Sequence, residues 1–99
     1  MPKFIIERDM PGAGNMAPDR LHQAARHTCE ALSTLGPQVQ WIESFVTDDK
    51  VYCVYIAPNA DALREHARLS GFPADRVNQI RGVIDPTDAE PKAGDYPGC

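Results

Sequence analysis

The chain has 99 residues, 42% of them hydrophobic and 24% charged, with 10 Lys and Arg against 14 Asp and Glu for a formal net charge of -4. That length supports one small domain with a single core, and the acidic balance excludes the clustered basic surface that binding to nucleic acid or anionic lipid requires. No stretch approaches the ~20 apolar residues of a membrane helix.

The opening Met1 to Arg8 carries only the short apolar run Phe4-Ile5-Ile6 before charge returns, too little for the apolar region of a signal peptide. A cytoplasmic location is therefore expected, with Cys29, Cys53 and Cys99 as reduced thiols. An odd number of cysteines without a CxxC pair fits neither a disulfide framework nor a zinc knuckle.

Lys3 to Arg8 reads as a strand, ended by the Pro11-Gly12-Ala13-Gly14-Asn15 cluster. A helix is expected from Pro18, since proline is pre-set for the first helical position and Asp19 places negative charge in the first turn. Leu21, Ala24, Ala25, Thr28, Leu32 and Leu35 follow at helical spacing, and Gly36-Pro37 closes the segment. Val39 to Val46 and Val51 to Ile56 are rich in strand formers and flank the turn Thr47-Asp48-Asp49-Lys50, which predicts a hairpin. A two-residue loop at Asp48-Asp49 would set Ser44 opposite Cys53, Glu43 opposite Val54 and Ile42 opposite Tyr55. Asn59 is a good N-cap for a second helix over Ala60 to Ser70, which Gly71 ends. Val77 to Ile84 reads as the final strand. The domain is expected to span residues 1–87, with 88–99 as a flexible tail rich in Pro, Gly and charge.

The order β-α-β-β-α-β, with both crossovers of the same hand, predicts an α+β fold: a ferredoxin-like sandwich with an antiparallel sheet and two helices on one face. The other sheet face is left open. In the expected register it carries Trp41, Glu43, Phe45 and Tyr52, too apolar a mixture to leave in water. A homodimer through that open face is the expected remedy.

Histidines are the commonest metal ligands and titrate near neutrality. On the first helix His22 and His27 are five residues apart and so lie on different sides, whereas His27 and Glu30, three apart, share a face, as do Asp19 and His22. Such imidazole and carboxylate pairs suit a borderline divalent ion completed by a second molecule, or they are an ordinary solvated helix surface. His66 falls between Leu63 and Ala67 on the core side of the second helix, opposite the strand face that carries Ser44, Cys53 and Tyr55. These four residues are expected either to line a pocket for a small molecule or a metal, or to be core residues with His66 hydrogen-bonded at its edge. A nucleophilic Cys53-His66 pair is disfavoured, because burial raises a thiol pKa and no third group is placed to orient the imidazole. Gly12-Ala13-Gly14 lacks the GxGxxG spacing, so no nucleotide cofactor is expected.

The strings "MPKFIIERDMPGAG", "QWIESFVTDDKVYCVYIAP" and "ADALREHARLSGFPADRVNQIRGVIDPT" resemble the small bacterial family catalogued as domain of unknown function 4242, over about residues 1–87. The resemblance implies a ferredoxin-like, dimeric protein of the dimeric α/β-barrel type that binds nickel and contributes to nickel sequestration. Tyr52-Cys53-Val54-Tyr55 and Arg64-Glu65-His66-Ala67 match the family strings. The leading expectation is a non-enzymatic protein that binds Ni²⁺ or another divalent transition metal, with His22, His27, Glu30 and His66 as candidate ligands. The alternative is a small-molecule-binding protein or enzyme with a pocket around His66, Tyr55 and Cys53.

Overall fold

The computed structural model describes residues 1–90. Strand β1 (Lys3–Asp9) leads through a short 3-10 turn at Ala13–Asn15 into helix α1 (Pro18–Leu35). The hairpin β2 (Gln40–Val46) and β3 (Lys50–Ile56) follows, then α2 (Ala60–Ser70) and β4 (Arg76–Gln79). The sheet runs β2-β3-β1-β4 with every neighbour antiparallel. This is the expected α+β, ferredoxin-like arrangement of two helices on a four-stranded antiparallel sheet. Among the described residues no helix is long and apolar enough to cross a membrane.

The local chemistry explains the elements. Strand β3 alternates, with Val51, Cys53 and Tyr55 buried against the helices. Helix α1 opens on Pro18 without a side-chain cap and ends at Gly36, whose φ of 85° only glycine takes readily. Helix α2 is capped by Asn59, whose side-chain oxygen accepts the Ala62 N–H at 2.9 Å. Leu63, His66 and Ala67 of α2 and Thr28 and Ala31 of α1 turn inward onto Phe4, Ile6 and Tyr55.

Two expectations are corrected. The hairpin register holds from Glu43 to Val46, but a bulge between Trp41 and Glu43 sets Trp41, not Ile42, opposite Tyr55. A bulge reverses the facing of residues beyond it. Trp41 consequently leaves the open face and joins Ser44 on the helix side, where its indole N–H donates to Ser44 Oγ at 3.0 Å. The last strand is also shorter than Val77 to Ile84. Gln79 pairs with Phe4 and the Ile80 N–H reaches Lys3 O at 2.8 Å. Beyond that point β1 has no residues left to pair with, so Val83 and Ile84 stand exposed. Asp85 and Asp88 then form a capping box on a 3-10 turn at Pro86–Ala89. Of the tail expected over 88–99, residues 91–99, Cys99 included, lie outside the described residues.

Candidate functional site

The alternation of β1 places Phe4, Ile6 and Arg8 on one face, and β3 adds Cys53 and Tyr55 beside them. At the centre Tyr55 is 1% exposed, His66 0% and Arg8 2%. The Tyr55 hydroxyl lies 2.8 Å from His66 Nε2, with the rings edge to face at 5.0 Å between centroids. Arg8 donates through Nη1 to the Pro73 carbonyl, and its charge acts on the Tyr55 phenol. His66 Nδ1 has no hydrogen-bond partner among the described residues.

Burial dominates the electrostatics of this cluster. It pushes the Tyr55 phenol up to about 12, against a smaller lowering by the Arg8 charge. Burial, with Arg8 adding to it, lowers His66 to about 4. At neutral pH the cluster is therefore a neutral phenol and a neutral imidazole beside a guanidinium. Removing a charge from water without a counter-charge costs several kcal/mol, and among the described residues no carboxylate forms an ion pair with Arg8.

Beside this cluster a cavity of about 220 Å³ opens between α1 and the β2 side of the sheet. Its polar wall is Arg8, Thr28, Trp41, Ser44, Cys53 and Tyr55. Met10, Met16, Leu21 and Phe72 form much of the apolar wall. A relay crosses it: Trp41 donates to Ser44, and Ser44 Oγ donates to Cys53 Sγ at 2.9 Å. Three of the four expected pocket residues, Ser44, Cys53 and Tyr55, thus share one cavity. His66 is not on its wall; it stands behind Tyr55 and completes the core.

Arg8, Thr28 and Trp41 escaped the sequence reading. Arg8 was legible in principle, because it continues the alternation of Phe4 and Ile6, and a charge at an inward position is informative. Trp41 was not, since nothing in "QWIES" announces the bulge.

The α1 candidates form a separate surface. His27 Nδ1 lies 3.8 Å from Glu30 Oε2, and both side chains are exposed. His22 and Glu30 share a shallow depression with Arg26 and Cys29. Imidazole and carboxylate form a borderline donor set suited to a divalent transition metal, but the pair supplies two donors only. Among the described residues no group of three or more His, Cys, Asp or Glu side chains gathers to hold an ion, and His66 is not brought to the α1 surface.

A family model described as nickel responsive protein, SCO4226-like, matches residues 4–80. No curated protein matches the chain. Among solved structures, the chain resembles SCO4226 from Streptomyces coelicolor A3(2), with a TM-score of 0.70 and 20% identity over 83% of this chain and 99% of that one. At that identity the likeness establishes the shared fold. With the family model covering most of the domain, the chain belongs to the SCO4226-like nickel responsive protein family.

Proposed function

Starting from that membership, we propose that the protein is a cytoplasmic, non-enzymatic homodimer that binds Ni²⁺ or a similar divalent ion and holds it in reserve. The observation that carries this reading is the exposed pair of His27 Nδ1 and Glu30 Oε2, 3.8 Å apart on one face of α1. The pair would supply one nitrogen and one oxygen ligand, with His22 sharing a shallow depression with Glu30 but not with His27, and the remaining positions filled by water or a second molecule. His66 is assigned to the core, where Tyr55 engages its Nε2.

The homodimer would form through the open sheet face. Ile5, Tyr52, Val54 and Ile56 are only partly covered there, Phe45 is half exposed, and Val83 and Ile84 extend apolar surface past β4. Anomalous scattering from nickel-soaked crystals tests both parts. A nickel peak beside His27 and Glu30 and sheet-to-sheet packing are the expected results; a peak elsewhere refutes the ligand assignment, and packing with the sheet faces apart refutes the dimer.

A second reading is favoured by the cavity itself. A half-open cavity of about 220 Å³ walled in part by Tyr55, Cys53 and Ser44 is suited to a small ligand with an apolar body.

A further inference from the structure

Arg8 is explained neither by the fold nor by nickel. Arginine is rarely buried without an ionic partner, yet Arg8 is 2% exposed and the ion pairs of the described residues all fall elsewhere, on Glu7, Asp9, Glu30, Asp61 and Glu65. Among the described residues its hydrogen-bond partner is the Pro73 carbonyl, which is neutral. The groups packed around it add no negative charge at neutral pH: Tyr55 remains a phenol and His66 an imidazole without charge. Arg8 also contributes to the wall of the cavity, beside Cys53 and Tyr55.

The geometry points to a small amphipathic carboxylate as the ligand of this cavity, its carboxylate paired with Arg8 and its apolar body lying among Met10, Met16, Leu21 and Phe72. This rests on the second reading above, that the cavity binds a small molecule, and names the class of that molecule. The planar guanidinium fork matches the two oxygens of a carboxylate. Arg8 is the single cation of the wall and balances a monoanion, whereas a phosphate dianion would bring a second charge that no other basic side chain of the wall meets. Size agrees as well. A cavity of ~150 Å³ admits benzene, so about 220 Å³ accommodates a ring or short alkyl chain together with the carboxylate.

Trp41 is the chain's single tryptophan and lies on the cavity wall, so its fluorescence reports occupancy directly. The experiment titrates the intact protein with phenylacetate and hexanoate, and in parallel with their neutral amides. The expected result is a saturable change in Trp41 emission with the carboxylates and at least about tenfold weaker binding of the amides. In Arg8→Met, which keeps an unbranched stem and removes the guanidinium, carboxylate affinity should fall to that of the amide while amide binding is retained. Equal binding of acid and amide by the unsubstituted protein overturns the anion assignment and leaves the cavity reading standing. No response to either at millimolar concentration overturns both. The comparison of acid with amide needs no variant, so it decides the matter even if Arg8→Met fails to fold.

Discussion

The Tyr55 hydroxyl and His66 Nε2 meet at 2.8 Å inside a fully buried core, joining the middle of β3 to the inner face of α2. His66 Nδ1 has no partner among the described residues, so this one hydrogen bond is what the imidazole receives in return for leaving water. Tyr55→Phe would leave both ring nitrogens unpaired, at a cost of about 1–3 kcal/mol. Urea unfolding should show that loss. In a His66→Leu background the same substitution should cost less, because the group left stranded by the first change is gone; an equal cost in both backgrounds would deny the coupling.

The same pair sets a pH dependence. His66 titrates at about 4 in the folded protein against an ordinary 6.5, so between those values the unfolded chain binds the extra proton. The stability that the neutral, buried imidazole contributes is thus fully present above about pH 6.5, falls as the pH drops, and is lost by about pH 4, in total on the order of 3 kcal/mol. Tyr55 acts at the other end: with its pKa pushed up to about 12, stability falls as the pH rises from 10 towards that value. His66→Leu should flatten the acid limb specifically, and a variant with an unchanged acid limb would show that other groups produce it.

Gly14 makes a steric prediction. A Cβ there would lie 2.8 Å from Asp48 Cα and 3.0 Å from Thr47 O, both backbone atoms of the hairpin turn, and the Gly14 N–H donates to Asp48 O at 3.0 Å. Since backbone cannot give way as a side-chain tip can, Gly14→Ala should destabilise by ~1–3 kcal/mol through overpacking. Thermal unfolding measures it, and an unchanged midpoint would mean that the turn does not sit against the 3-10 segment.

Ser44 accepts the Trp41 indole N–H and donates to Cys53, so it fixes the bulged end of β2 to the cavity wall. Ser44→Ala should cost ~1 kcal/mol and shift Trp41 emission to the red as the indole N–H turns to water. Emission that does not move would show that the indole is held by packing alone.

How much of this was legible differs between the fold and the site. Runs of strand formers in β1 and β3, the Asn59 cap and the glycines that end both helices are local signals, and they led to the right order of elements. The pairing of Tyr55 with His66 was legible too, because strand and helix periods each point one of them inward. The bulge at Ile42 was not, as it depends on how β2 meets β3 and α1 together. Nor was the end of β4, which is set by where its partner β1 begins. Arg8 was passed over because a charge near a strand end reads as the start of solvent, although its parity with Phe4 and Ile6 said otherwise.

The central claim is that the exposed imidazole and carboxylate of α1 hold a divalent ion. Calorimetric titration of metal-free protein with NiCl₂ at neutral pH tests it most directly. The account predicts saturable binding that weakens in acid as imidazole protonates, is lost or strongly reduced in His27→Ala and Glu30→Ala, and is weakened in His22→Ala. Absence of binding, or binding that all three substitutions leave unchanged, would contradict it.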